Sequence, residues 1–111
     1  MAKVNAELIW FNGQLMPWKD ATVHVMSHAL HYGSSVFEGI RAYHTHKGTC
    51  VFRLEAHIQR LFESAKVYRM HIPFSQEEVI KACKDAVIQN SLSSAYLRPL
   101  AFLGDVGMGL R

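Results

Sequence analysis

The chain has 111 residues, half of them hydrophobic, with a formal charge of +3 from 12 basic and 9 acidic residues. That is enough to bury roughly two-thirds of the unfolded surface in one domain, while no apolar run approaches the ~20 residues that span a bilayer. The start Met1-Ala2-Lys3-Val4 lacks the apolar stretch of a signal peptide, and the basic residues are scattered among acids, so a cytoplasmic protein without a nucleic-acid stripe is expected.

Leu8-Ile9-Trp10-Phe11 and Gln14-Leu15-Met16-Pro17-Trp18 flank Asn12-Gly13, a dipeptide suited to the positive φ angles of a tight hairpin. Ala21 to Met26 is expected to add a short extended piece. Ser27 to Gly33 reads as a turn-rich stretch with one helical turn ended by glycine. From Val36 to Tyr43 the spacing predicts a strand, with Phe37, Gly39, Arg41 and Tyr43 on one face and Val36, Glu38, Ile40 and Ala42 on the other. Lys47-Gly48 turns it back into Cys50-Val51-Phe52-Arg53.

Helical periodicity begins after Arg53, where Ile58, Leu61, Phe62, Ala65 and Tyr68 form an apolar stripe that Pro73 closes off. Ser75 followed by Glu78 is a capping-box signature for a second amphipathic helix running to about Gln89 through Val79, Ile80, Cys83, Ala86 and Val87. Surface pairs Glu63 with Lys66 and Glu77 with Lys81 are expected on these helices. A strand through Tyr96 returns, although Pro99 within it suggests an edge or a bulge. The whole predicts one α+β domain over residues 1–111, an antiparallel sheet with two amphipathic helices packed on it. Cys50 and Cys83 have no disulfide spacing and read as reduced, buried thiols.

Arg98 stands out because a guanidinium lies among apolar residues in Tyr96-Leu97-Arg98-Pro99-Leu100. Alternation puts Tyr96, Arg98 and Leu100 on one face, so a phenol lies beside a cation whose fork matches a carboxylate. A structural ion pair with Asp105 or Glu38 accounts for the same residue equally well. Gly104-x-x-Gly107-x-Gly109 fits neither nucleotide-loop spacing. Seven histidines, including His28-x-x-His31 and His44-x-His46, raise a metal site, but no acid or cysteine completes a cluster and none is assigned.

Ser27-His28-Ala29-Leu30-His31-Tyr32-Gly33, Val36-Phe37-Glu38-Gly39-Ile40-Arg41, Leu54-Glu55-Ala56-His57-Ile58-Gln59-Arg60-Leu61, Tyr96-Leu97-Arg98-Pro99-Leu100 and Gly104-Asp105-Val106-Gly107-Met108-Gly109 keep one order and spacing. Together they resemble the amino-terminal domain of the branched-chain amino acid aminotransferases, pyridoxal-phosphate enzymes of fold type IV. The resemblance implies transfer of the amino group of L-leucine, L-isoleucine or L-valine to 2-oxoglutarate. It implies that Arg60 grips the cofactor phosphate, with His57 in a supporting role one turn earlier. It makes Tyr32, Phe37, Gly39, Tyr96 and Arg98 a substrate pocket, and carries Met108 and Leu110, like the loop bearing Tyr32, into the pocket of a neighbouring subunit of a homo-oligomer.

The resemblance also implies what this chain lacks. The family's Schiff-base lysine and most of its cofactor-binding residues lie in a carboxy-terminal domain, and none of Lys3, Lys19, Lys47, Lys66, Lys81 and Lys84 sits in a matching context. No catalytic residue is therefore assigned here, and the 111 residues alone are expected to be inactive. D-amino acid aminotransferases and aminodeoxychorismate lyases share the His-x-x-Arg-Leu signal, while Tyr96-x-Arg98 favours the branched-chain group. A non-catalytic dimerisation module of the same fold is the alternative from a different class.

Overall fold

The computed structural model describes residues 7–104. Strands β1 (Leu8–Phe11) and β2 (Gln14–Pro17) pair antiparallel around Asn12 and Gly13, both at positive φ (51° and 99°) as the hairpin demands. A side chain at Gly13 would press on the Phe74 ring, which itself meets Trp10 edge-on at 5.1 Å between centroids. Ala21 to Met26 form no strand, contrary to the expectation. The segment leaves a 3-10 turn at Trp18–Asp20 and turns again at Val25-Met26, and among the described residues no strand pairs with it.

Helix α1 (His28–Tyr32) is the single turn anticipated, closed by Gly33 in the left-handed region at φ 67°. Its first amides donate to Gly104 O and Leu103 O at 2.8 and 3.0 Å. The long strand expected from Val36 to Tyr43 is two, β3 (Ser35–Phe37) and β4 (Ile40–Thr45). β3 pairs with β7 (Leu100–Phe102), whereas β4 lies between β5 (Gly48–Val51) and β6 (Ala95–Leu97). Phe37 faces Leu100 and Ile40 faces Leu97, so both ladders keep one register, with Glu38-Gly39 opposite Arg98-Pro99. The interruption follows from Pro99, which has no amide hydrogen to give; its carbonyl still accepts from the Glu38 amide at 3.0 Å. Alternation survives the break. Val36, Glu38, Ile40 and Ala42 are buried, and Phe37, Arg41 and Tyr43 are exposed.

Helix α2 (Leu54–Val67) buries Leu54, Ile58, Leu61 and Ala65 against Val36 and Ile40. It ends short of the expected Pro73 boundary, with Tyr68 at its C-cap exposed rather than in the stripe. Helix α3 (Gln76–Gln89) adds Val79, Cys83 and Val87 to the buried set. Its capping box is formed in full: the Glu78 amide donates to Ser75 Oγ at 3.0 Å and the Ser75 amide donates to the Glu78 carboxylate at 2.8 Å. Replacing Ser75 by Ala is expected to lower stability by about 1 kcal/mol, read from the midpoint of urea unfolding. At the other end of α3, the Asn90 amide group clamps Leu8, accepting from its N–H at 2.9 Å and donating to its carbonyl at 3.0 Å.

The surface ion pair is shifted by one turn from expectation. Lys81 reaches Asp85 at 2.7 Å rather than Glu77, and Glu63 accepts from Gln59. Cys83 is buried, which pushes its thiol up to about 11, but Cys50 is exposed, because it lies on the outer face of β5. Among the described residues no helix is long and apolar enough to cross a membrane.

Candidate functional site

The interruption at Glu38-Gly39 and Arg98-Pro99 sends side chains to two sides of one strand junction. Outward, Phe37, Tyr96 and Arg98 meet. The Arg98 guanidinium carbon stands 4.3 Å from the centre of the Phe37 ring and 5.6 Å from that of Tyr96, while its Nη2 donates to the Tyr96 phenol oxygen at 3.1 Å. Stacking and a hydrogen bond together fix the plane of the fork. Tyr96 can lie so close because position 39 is glycine: a Cβ there would collide with its phenol group. The buried structural pair considered for Arg98 is not formed with Glu38. Arg98 is exposed, and Glu38 points inward to other partners.

Inward, Glu38 is 5% exposed and accepts three hydrogen bonds from helix α2. Arg60 donates through Nε to Oε2 at 2.9 Å and through Nη2 to Oε1 at 2.7 Å. His57 Nδ1 lies 2.8 Å from the same Oε1 and is its donor, since an ionised carboxylate can only accept. His57 and Arg60 are one turn apart, so both reach across from one helix face. The partner of His57 Nδ1 is therefore the Glu38 carboxylate and not the neighbouring backbone that was expected. Arg60 is 66% exposed in its side chain even while paired. Two of its five N–H groups are engaged by Glu38, and the other three are left on the solvent side.

The Arg60 guanidinium holds the Glu38 carboxyl below the usual carboxylate range, and His57 adds to this against the opposing effect of burial. A depressed folded-state value means that the folded chain binds fewer protons than the unfolded one. The stabilisation is therefore present above about pH 4, the ordinary range of a glutamate, and is lost as pH falls through the lower folded value. Unfolding in urea between about pH 6 and pH 3 is expected to show a steeper loss of stability for the natural sequence than for Glu38→Gln.

Tyr32 is placed apart from this group, exposed on α1 with its ring tilted against His28 at 4.5 Å between centroids. Met108 and Leu110 lie outside the described residues, as does Asp105. The His28 ring bonds Ser34 Oγ and the His31 ring bonds Val25 O, so each is satisfied locally. Among the described residues no three histidine, cysteine, aspartate or glutamate side chains gather to hold a metal ion. A broad open groove between β5 and helices α2 and α3, lined by Val51, Leu54, Ile80 and Val87, contains none of the site residues. Glu38 is the participant that sequence reasoning missed, since it entered only as a candidate partner of Arg98. Its inward position in the alternation was the available signal.

Residues 35–110 match the family model described as amino-transferase class IV. The chain is similar to the branched-chain-amino-acid aminotransferase of Escherichia coli (strain K12), at 58% identity over 110 residues that cover 99% of this chain and 36% of the relative. The enzyme of the same description from Pseudomonas aeruginosa is 55% identical over 104 residues, covering 94% and 34%. A crystal structure of the E. coli branched-chain aminotransferase superposes with a TM-score of 0.94 at 59% identity, covering 96% of this chain and 35% of that one. A branched-chain aminotransferase of T.th., complexed with N-(5'-phosphopyridoxyl)-L-glutamate, also gives 0.94, at 52% identity over 96% and 36%. The chain therefore spans about a third of the length of the relatives it matches.

Proposed function

The chain belongs to the class IV aminotransferase family, and from that premise we propose that its 111 residues are the amino-terminal domain of a branched-chain amino acid aminotransferase. The reaction is transfer of an amino group from L-leucine, L-isoleucine or L-valine to 2-oxoglutarate, with pyridoxal 5'-phosphate as cofactor. The observation that carries this reading is the oriented Arg98 fork, stacked on Phe37 and tied to Tyr96. A shared pocket must take an apolar side chain in one half-reaction and a carboxylate in the other. Phenyl and phenol faces serve the first, and a guanidinium at the rim serves the second without being stranded when the carboxylate leaves.

The residues present fit a phosphate. Arg60 is a cation with donors still directed at solvent, which suits a phosphate oxyanion better than a closed ion pair would. Bound there, pyridoxal phosphate supplies the electron sink that makes the amino group transferable. In this chain Arg60 would hold the phosphate end, Phe37, Gly39, Tyr96 and Arg98 would orient and enclose the substrate side chain, and no lysine is given the proton-moving role. Tyr32, with Met108 and Leu110, would complete the pocket of a neighbouring subunit. The exposure of Tyr32 on α1 supports that assignment. The proposal places the enzyme in the cytoplasm as a homo-oligomer, without nucleic acid or membrane partners.

The test is the intact mass of the product of the native gene, before and after borohydride reduction with pyridoxal phosphate. A mass well above 12.6 kDa that gains one phosphopyridoxyl group is expected. A product of 12.6 kDa without adduct would overturn the enzyme reading in favour of a non-catalytic module. Turnover of D-alanine but not L-leucine would overturn the substrate assignment.

A further inference from the structure

The geometry points to Glu38 as a positioning residue for the cofactor phosphate, acting through Arg60 by fixing which edge of the guanidinium faces the ligand. This rests on the reading of Arg60 as the phosphate cation. Arg60 leaves the middle of α2, and an arginine 66% exposed on a helix would ordinarily sample many rotamers. Here its Nε and one Nη2 hydrogen are both engaged by Glu38, a two-point attachment that sets the plane as well as the position of the fork. The edge left over is the one that can meet a phosphate. Glu38 can hold it because it is itself immobile: 5% exposed, anchored by its amide to Pro99 O, and braced by His57 on Oε1.

Two effects of Glu38 oppose each other. Its charge partly neutralises Arg60 and so weakens attraction for a dianion, whereas its grip removes the freedom that the phosphate would otherwise have to freeze out. The charge effect is muted because the Arg60 head is solvated and screened. The orientation effect is not screened, so it should dominate. Gln at position 38 keeps the volume but presents an amide group to a donor, which breaks the two-point attachment. Asp keeps the charge but is one methylene too short to reach both nitrogens.

The experiment measures dissociation constants of pyridoxal phosphate and of unphosphorylated pyridoxal for the full-length apoenzyme and for Glu38→Gln, Glu38→Asp, Arg60→Ala and the Glu38→Gln/Arg60→Ala double variant. Both Glu38 variants are expected to bind pyridoxal phosphate about tenfold more weakly with pyridoxal binding unchanged. The Glu38→Gln effect should vanish in the Arg60→Ala background, since it acts through that side chain. Unchanged or tighter binding of pyridoxal phosphate by Glu38→Gln would overturn the inference. So would an equal loss for pyridoxal, which marks a purely structural role, or an undiminished effect without Arg60. If Arg60→Ala itself leaves the preference for the phosphorylated form intact, it is the reading of Arg60 that fails. A large Arg60 effect with none at Glu38 sinks the positioning role alone.

Discussion

Arg98→Ala in the full-length enzyme is expected to raise KM for 2-oxoglutarate by roughly 100-fold while changing KM for leucine only a few-fold. The magnitude follows from a charge-assisted, two-point hydrogen bond to a carboxylate, worth about 3 kcal/mol when the donor is held in place. Arg98 is so held, by the Phe37 face at 4.3 Å and the Tyr96 phenol at 3.1 Å. The apolar substrate loses only contact with the side-chain stem. Arg98→Lys should recover part of the loss, because it restores charge but neither the planar fork nor the stack. Steady-state kinetics with each substrate varied in turn decides the matter. An equal penalty on leucine and 2-oxoglutarate would show that Arg98 shapes the wall and does not read the carboxylate.

Ile58→Ala is expected to cost about 2–5 kcal/mol of stability, the usual range for emptying a fully buried aliphatic site. Ile58 has no exposed surface, and it packs with Val36, Ile40, Leu61 and Cys83 where α2 meets the strands. A loss of that size is a large part of the roughly 5–15 kcal/mol that typically holds a domain together. It would also loosen the helix that carries His57 and Arg60, so cofactor binding should fall with stability. Urea unfolding monitored by circular dichroism measures the first effect. A change under about 1 kcal/mol would mean that the surrounding side chains close the cavity, and that this core is softer than its burial indicates.

Local chemistry explains what was legible in the sequence. Asn12-Gly13 and the Ser75–Glu78 box act within a few residues, and both the hairpin and the start of α3 stand where they were expected. The apolar face of α2 was readable because its period is that of a helix, up to the point where Arg69 enters the left-handed region at φ 58° and the turn ends. The fold class was therefore within reach. Phe37, Tyr96 and Arg98 come together because two alternations, read separately along two strands, face the same way. What could not be read was pairing through space. Glu38 meets Arg60 across 22 positions, and only the packing of α2 on the strand junction decides that it does so instead of meeting Arg98. The piece from Ala21 to Met26 failed for the converse reason, since without a partner strand its backbone bonds locally, as where the Thr22 amide donates to Asp20 O and the Ser27 amide to His24 O.

The shared register of the two ladders has a temporal consequence. The edge of Ser35 to Ala42 that faces residues 95–102 stays open until they emerge, and everything between them, β5, α2 and α3, is made first. On a ribosome adding about 5–20 residues per second, β3 has no strand to pair with for several seconds, while the local contacts of both helices can already form. During that interval the buried face of β3 and β4 has only helix to rest on. The segment through Arg98 thus carries the proposed substrate cation and also supplies the last strands to pair, so a nascent chain acquires that candidate carboxylate receptor at the moment its fold closes.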